Sequence, residues 1–233
     1  MNTTSASRAE RILVWDAPVR VMHWLLAASF FGAWLTAESE RWRLVHVTLG
    51  YTVGALVLLR IVWGLAGTRY ARFAQFVRGP SAVLRYLRSL VSRHPEHHVG
   101  HNPAGALAIV GLLGLALATA AAGVALDAGW GGHALEEVHE ALASTALALV
   151  GLHVAAVIAS SLLHRENLVG AMLSGRKRGE RSQGIRSAGR SVAALVLCAV
   201  LGFWWLQWRD GGALTGGMAR APAAAHAQQD DDD

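Results

Sequence analysis

Two histidines stand near the ends of an otherwise almost entirely apolar stretch, VHEALASTALALVGLHV at residues 138–154. His139 and His153 are fourteen positions apart. In an α-helix this separation corresponds to a rise of about 21 Å and to a rotation about 40° short of four full turns. Both imidazoles therefore leave the helix on nearly the same face, at two levels. This spacing predicts two ligand positions on one wall of a helix bundle, each of which needs a partner histidine elsewhere.

The composition places the chain in the membrane class. Of its 233 residues, 53% are hydrophobic and 16% are charged, and the mean hydropathy of +0.34 is too high for an ordinary soluble domain. The single cysteine, Cys198, excludes an internal disulfide framework, a CxxC zinc motif and a CxxCH attachment site for c-type haem. Nothing in the pattern indicates a nucleic-acid partner, because the basic residues flank apolar segments.

Five segments are apolar and long enough to cross a bilayer. They predict an all-α integral membrane protein, with a four-helix transmembrane bundle followed by a fifth, C-terminal transmembrane helix. Asp16 is placed to cap the first helix, and Asn102 followed by Pro103 is placed to begin the third. The first segment carries His23, so we interpret it as a helix rather than as a cleaved signal peptide. The segments are 21–37, 44–66, 104–126, 138–163 and 190–208.

Basic residues in the connections indicate the orientation. There are three Lys or Arg residues before the first segment, six in residues 67–101 and seven in residues 164–190. The connections 38–45 and 127–137 contain two and none, and the C-terminal tail contains two. The positive-inside rule then predicts a bacterial inner-membrane protein with a cytoplasmic N-terminus and a periplasmic C-terminus. Residues 80–93 have the pattern of a short amphipathic helix that lies on the lipid surface.

This orientation sorts four histidines into two levels. His46 and His139 open the second and fourth segments on the periplasmic side, whereas His23 and His153 lie in the cytoplasmic half. Each level receives one histidine from each of two helices, which suits the two axial ligands of a haem iron in a bundle core. Zinc would need further ligands that neither level supplies. A proton relay through the membrane is the other functional alternative.

Several motifs resemble the bacterial cytochrome b561 and nickel–iron hydrogenase b-type cytochrome family, over about residues 12–178. Members of that family are membrane di-haem b cytochromes with four core helices. The resemblance implies two haem b groups and selects the same ligands, His46 with His139 and His23 with His153. The fifth segment and the tail resemble the family less. The motifs are VWDAPVRVMHW (14–24), HVTLGY (46–51), RIVWGLAGTRYARF (60–73), GHNPAGAL (100–107), the 138–154 stretch and SLLHRENL (161–168).

The chain is therefore expected to consist of three parts. Residues 1–178 form the di-haem transmembrane domain, and residues 179–208 form a basic linker and the fifth helix. The last part, 209–233, contains few bulky residues and ends in four aspartates, which indicates a disordered periplasmic tail.

Four further residues are candidates for cofactor binding. Arg20, one helical turn before the histidine of the first segment, and Arg60 could pair with the propionates of the cytoplasmic haem. Asn102, besides capping its helix, could donate a hydrogen bond to a quinone carbonyl at that level. His133 could cover the edge of the periplasmic haem, although a plain external loop accounts for it equally. The His-rich tract HPEHHVGH at 94–101 could bind metal, but it fits a solvated connector better.

These observations predict electron transfer across the membrane, between the quinone pool and a periplasmic redox partner that is a c-type cytochrome or a hydrogenase. Whether the protein is also an enzyme, as part of a quinone oxidoreductase, stays open at this point. One alternative is a non-redox transporter or anchor that uses the histidines for protons or metal. Another is a quinone reductase that acts on a small reductant such as superoxide.

Overall fold

The computed structural model describes residues 10–90 and 98–211. Within these ranges the backbone forms eight α-helices, two β-strands and two short 3₁₀ helices. The five long helices cover the five predicted apolar segments. The helices are α1 (Ala17–Thr36), α2 (Arg43–Ala66), α3 (Phe73–Phe76), α4 (Pro80–Leu90), α5 (Pro103–Asp127), α6 (Gly132–Leu163), α7 (Leu168–Ser174) and α8 (Arg190–Arg209); the strands are β1 (Glu10–Leu13) and β2 (Arg176–Gly179).

Four helices of the described part of the chain are long and apolar enough to cross a membrane: α2 with the 3₁₀ helix before it, α5, α6 and α8. Helix α1 has 20 residues, as many as α8, but Arg20 and His23 lower its hydropathy. Exposed apolar side chains such as Leu107 and Leu152 are expected where lipid surrounds a helix. The chain is a multi-pass membrane protein with an all-α membrane region.

The start of α6 differs from the sequence-based expectation. The apolar pattern predicts a helix from residue 138, whereas α6 begins at Gly132. Gly129, Gly131 and Gly132 all have positive φ, so the tight turn that separates α5 from α6 is completed within a few residues. As a result, His133 lies in the first turn of α6 and not in a loop.

The predicted helix caps at the starts of α1 and α5 are confirmed. The Val19 N–H donates to Asp16 Oδ1 at 2.9 Å. The Gly105 N–H donates to Asn102 Oδ1 at 2.6 Å. In both cases a side-chain oxygen accepts from a backbone N–H near the helix start that has no partner within the helix.

A two-stranded antiparallel sheet joins the start of the chain to the segment after α7. Glu10 pairs with Gly179 and Leu13 with Arg176. The sheet was not predicted from the sequence, where both strands belong to charged stretches outside the apolar segments. Beside it lies a small apolar core made of Ile12, Val14, Trp15 and Ala171.

The amphipathic helix predicted at 80–93 is present as α4, which covers Pro80–Leu90; the remainder of the predicted segment lies outside the described residues. Ala82 and Tyr86 are buried, while Leu84 and Leu87 are exposed. The helix therefore has both a face packed against protein and an exposed apolar edge. The predicted disordered tail falls largely on residues 212–233, outside the described part.

The chain divides into two compact units. The first unit includes the sheet, α4, α7 and two of the predicted haem ligands, His23 and His153. The second includes the other two, His46 and His139. The first unit consists of Met1–His23, Leu59–Leu112 and Ala148–Ala194, and the second of Trp24–Leu58, Leu113–Leu147 and Leu195–Asp233.

Candidate functional site

His46 of α2 and His139 of α6 face each other within the second unit. Their ring centroids are 6.3 Å apart and their planes are inclined at 73°. The Nδ1 atom of each ring also forms a hydrogen bond with a backbone carbonyl oxygen. His46 Nδ1 lies 2.8 Å from the Ala33 oxygen, and His139 Nδ1 lies 3.0 Å from the Thr119 oxygen.

These two hydrogen bonds determine which ring nitrogens remain for a ligand. A carbonyl oxygen only accepts, so Nδ1 of each ring must carry the proton and donate it. The Nε2 lone pair of each neutral imidazole is then left to coordinate a metal. A hydrogen bond of this kind from the non-ligating nitrogen is the usual way in which proteins orient a metal-binding histidine and increase its basicity.

The spacing of the two rings fits a single metal ion held between them. Metal–imidazole bonds are about 2.0 Å long and a ring nitrogen lies about 1.1 Å from its centroid, so two opposed ligands place their centroids about 6.2 Å apart. The observed separation is 6.3 Å. Gly50, one turn after His46 on α2, has open space where a side chain would be, with no atom within 4 Å of an added Cβ. A planar cofactor that extends beyond the two rings therefore has room beside α2.

Gly123 of α5 provides the space that the His139 ring needs. A Cβ at this position would lie 3.0 Å from His139 Cε1 and 3.4 Å from Nδ1. Gly123 follows Thr119 by one helical turn, so the same face of α5 supplies both the carbonyl acceptor and the clearance for the ring.

His23 of α1 and His153 of α6 are brought together in the first unit. They are close enough for their charges to interact. His153 also interacts electrostatically with His101, the residue two positions before α5. The structure thus groups the four histidines into the two pairs predicted from the sequence, one pair in each compact unit.

The His101 ring is packed between two aromatic rings next to this pair. Its centroid lies 4.4 Å from that of Trp15 and 4.4 Å from that of Phe76. Burial is the main cause that lowers the pKa of His101 from 6.5 to about 3, and the positive charges of Arg60 and Lys177 lower it further. His101 is therefore neutral at physiological pH. Its Nδ1 is buried and has no hydrogen-bond partner among the described residues.

Arg60 is buried in the same unit, with only 6% of its surface exposed. Its guanidinium carbon lies 5.1 Å from the centre of the Phe73 ring, and Asp16 interacts with it electrostatically. Asp16 itself accepts three hydrogen bonds: besides capping α1, it accepts from Trp63 Nε1 at 2.9 Å and Thr68 Oγ1 at 2.7 Å. The Nη1 of Arg60 is buried without a hydrogen-bond partner in the described part of the chain.

The other predicted cofactor-binding residues are engaged in different ways. Arg20 donates through Nη2 to the Leu173 carbonyl in the last turn of α7, a position where a cation is favourable. Asn102 uses its side-chain oxygen to cap α5. The side chain of His133 is 81% exposed and lies 3.6 Å from Glu136 and 3.5 Å from Glu137.

The expectation that the His-rich tract is a solvated connector is wrong for the two histidines that the structure describes. His98 packs edge-on against Tyr86, with the ring centroids 5.6 Å apart, and His101 lies between its two aromatic neighbours. Within residues 10–90 and 98–211, no three His, Cys, Asp or Glu side chains form a metal-binding cluster. The histidine arrangement that the described residues provide is therefore a pair of imidazoles in each unit.

Sequence reasoning missed three features of these sites. The carbonyl acceptors at Ala33 and Thr119 leave no signature in the side chains. The contacts of Asp16 with Trp63 and Thr68 connect positions far apart in the chain; the only local sign was the cap residue before the first helix. His101 was noticed as part of a tract, but its aromatic neighbours come from distant segments.

Comparison with known proteins relates the chain to a family. The sequence profile of prokaryotic cytochrome b561 matches residues 14–175. The probable Ni/Fe-hydrogenase 1 B-type cytochrome subunit of Escherichia coli K12 is 29% identical, over 42% of this chain and 52% of that protein. The probable Ni/Fe-hydrogenase B-type cytochrome subunits of Rhizobium leguminosarum bv. viciae and Bradyrhizobium diazoefficiens are 22% and 21% identical, over 74% and 72% of this chain and 91% and 86% of those proteins.

The extent of these matches differs between the relatives. The chain spans about half the length of the Escherichia coli protein, and most of the length of the two rhizobial proteins. No solved structure matches the chain significantly.

Proposed function

Because the chain belongs to the prokaryotic cytochrome b561 family, we propose that it transfers electrons across the membrane through two b-type haems. The observation that carries this proposal is the geometry of the His46/His139 pair. Two imidazoles from different helices face each other at the separation that a shared metal requires, and each has its other nitrogen bonded to a backbone carbonyl.

The ligand assignment follows from the two pairs. His46 and His139 would hold one haem through their Nε2 atoms, and His23 and His153 would hold the other. Bound haem iron supplies the one-electron redox chemistry. The protein fixes the tautomer and direction of its ligands and keeps them in an apolar helical environment. With two histidines to hold each iron, each site would be suited to electron transfer rather than to binding a substrate at the metal.

Arg60 is the arginine best placed to meet a haem propionate. It is buried, it belongs to the same unit as His23 and His153, and one of its nitrogens has no hydrogen-bond partner among the described residues. Arg20 lies in that unit too and its Nε is likewise without a partner among the described residues, but its Nη2 already donates to the Leu173 carbonyl at the end of α7. The sequence offered both Arg20 and Arg60 as partners of the haem propionates, and we therefore assign this role to Arg60.

The electron partners are a membrane quinone and a redox protein on the periplasmic side. Relatives of the chain are named as probable B-type cytochrome subunits of Ni/Fe-hydrogenases, which favours a hydrogenase over a c-type cytochrome as that partner. The distribution of basic residues supports a cytoplasmic N-terminus in the inner membrane. It also supports a cytoplasmic level for the His23/His153 pair, where we place the reaction with quinone.

Two polar residues complete the proposed sites. The cap occupies Asn102 Oδ1, which leaves its amide nitrogen as the group that would donate to a quinone carbonyl. His133, exposed at the start of α6 near Glu136 and Glu137, lies on the same helix as His139 and six positions before it. We assign it to the docking surface for the periplasmic partner, near the edge of the haem held by His46 and His139.

Haem stoichiometry and single-histidine variants test the proposal. The purified protein should contain two haem b per chain, both six-coordinate and low-spin. His46→Ala and His139→Ala should remove one and the same haem, and His23→Ala and His153→Ala the other, as resolved by potentiometric titration of the spectra. A colourless protein would refute the redox function. Identical losses in His139→Ala and His153→Ala would refute the assignment of two separate sites.

A further inference from the structure

Arg20 Nε and two further buried nitrogens of the first unit have no hydrogen-bond partner among the described residues; the two further atoms are Nη1 of Arg60 and Nδ1 of His101. A buried polar atom left without a partner costs free energy, and such atoms in native proteins are nearly always satisfied by a group of the protein, by water or by a ligand. Both side chains interact electrostatically with each other, and His101 also interacts with His153. The two nitrogens therefore belong to the environment of the His23/His153 pair.

Aromatic packing holds both groups in place. The His101 ring is confined between Trp15 and Phe76, with centroid distances of 4.4 Å on each side. The Arg60 guanidinium lies 5.1 Å from the centre of the Phe73 ring. A confined ring and a stacked guanidinium lose little further freedom when they bind a ligand, so they form a rigid pair of binding groups.

The charge balance indicates what these groups would bind. Asp16 interacts electrostatically with Arg60, but the side-chain hydrogen bonds that it accepts in the described part of the chain come from Val19, Trp63 and Thr68. Burying a cation requires both charge compensation and hydrogen-bond acceptors. An anionic oxygen group would supply both to Arg60 and would accept from a neutral imidazole N–H as well. A neutral quinone carbonyl would supply an acceptor without compensating the charge.

We propose that Arg60 and His101 together clamp a propionate carboxylate of the haem that His23 and His153 hold. This inference rests on the proposed function and gives His101 a haem-positioning role, distinct from the hydrogen bond to quinone proposed for its neighbour Asn102. The guanidinium provides the compensating charge, and the confined imidazole provides a directed N–H donor. Together they fix the carboxylate and reduce the negative potential that it exerts on the iron.

Redox titration of His101→Phe tests the clamp while it preserves the aromatic packing. Removing the N–H donor leaves the propionate charge less compensated, which stabilises ferric over ferrous iron. The midpoint potential of the haem held by His23 and His153 should fall by about 59 mV, equivalent to a tenfold shift in the one-electron equilibrium. The other haem should not change. His98→Phe is the matched control, because it alters the same tract at a ring packed against Tyr86.

Resonance Raman spectra provide a second readout that does not depend on activity. The propionate bending band of that haem should change in His101→Phe and in Arg60→Lys, which keeps the charge but removes the planar fork of donors. His101→Asn, which retains an N–H donor, should return the potential most of the way to that of the parent. A combined His101→Phe and Arg60→Lys variant should shift the potential by less than the sum of the single shifts, because both act on one carboxylate.

Several results would overturn the clamp. The propionate band and both potentials could remain at parent values in His101→Phe and Arg60→Lys. Alternatively, the His101 variant could slow only the exchange of electrons with quinone, which would identify the residue as a quinone donor. Either result leaves the proposed function intact as long as the parent protein contains two haems. A parent preparation without the His23/His153 haem would instead refute the proposed function itself.

Discussion

Substitution of Gly123 by alanine should release the haem held by His46 and His139. The added Cβ would lie 3.0 Å from His139 Cε1, whereas carbon atoms in good contact are about 3.5–4.0 Å apart. The imidazole would have to retreat by about 0.5 Å. The bond from Nδ1 to the Thr119 carbonyl is 3.0 Å long, so a retreat of this size would bring it to about 3.5 Å, where little of the hydrogen bond remains.

The expected effect of Gly123→Ala combines the cost of overpacking with the loss of the hydrogen bond from His139 to Thr119. Overpacking costs about 1–3 kcal/mol, against a gain of about 1 kcal/mol from replacing a helical glycine by alanine. Loss of a hydrogen bond that orients a metal ligand typically lowers metal affinity by about 10–100-fold. We therefore expect Gly123→Ala to fold with little change in thermal stability but to retain mainly the other haem.

Haem stoichiometry and low-temperature spectra of the purified variant measure this outcome. Gly114→Ala is the matched control on the same helix, because an added Cβ there meets no atom within 4 Å and should leave both haems in place. If Gly123→Ala keeps two low-spin haems with parent affinity, then either the ring packing of His139 or its role as a ligand has been misassigned.

Three further predictions concern the first unit. Lys177→Met should lower the stability by about 3 kcal/mol, since it removes the buried cation that lies 3.0 Å from the Glu166 carboxylate. Adding Glu166→Met should restore most of the melting temperature in detergent. Asp16→Ala should destabilise the unit by about 2–4 kcal/mol through three lost hydrogen bonds and should change the Trp63 fluorescence. Burial lowers the pKa of His101 to about 3, so the unfolded state binds more protons than the folded state between pH 6.5 and 3. The free energy of unfolding should therefore fall as the pH is lowered through this range. In His101→Phe the fall should be less steep.

The sequence was sufficient to predict the long helices and the grouping of the histidines. Apolar segments of membrane-crossing length and helix caps such as Asp16 and Asn102 are local features, and both are present in the structure. The position of a histidine along a predicted helix sets its level, because the rise per residue is fixed. His46 and His139 could therefore be matched from spacing and predicted orientation alone, and the structure places their ring centroids 6.3 Å apart.

The sequence was not sufficient to predict the features that depend on contacts between distant segments. The strand Glu10–Leu13 pairs with Arg176–Gly179, and neither segment has an alternating apolar pattern that would mark a strand. The pairing also buries Lys177, whose side chain is only 3% exposed, although a lysine in a basic connection is expected to be solvated. His101 acquires its role only when Trp15 and Phe76 are placed on either side of it.

The two histidine pairs have different surroundings, and the difference favours one direction of electron flow. His46 and His139 both donate to carbonyl oxygens, which makes the imidazoles more electron-rich and stabilises ferric iron. The His23/His153 pair lies in the unit that buries Arg60, whose positive charge stabilises ferrous iron. If the proposed ligation and orientation hold, electrons should pass from the haem of His46 and His139 to that of His23 and His153, that is, from the proposed periplasmic partner towards the proposed quinone. Redox potentiometry of single-histidine variants assigns each midpoint potential to its pair, and a lower potential at His23/His153 would contradict this direction.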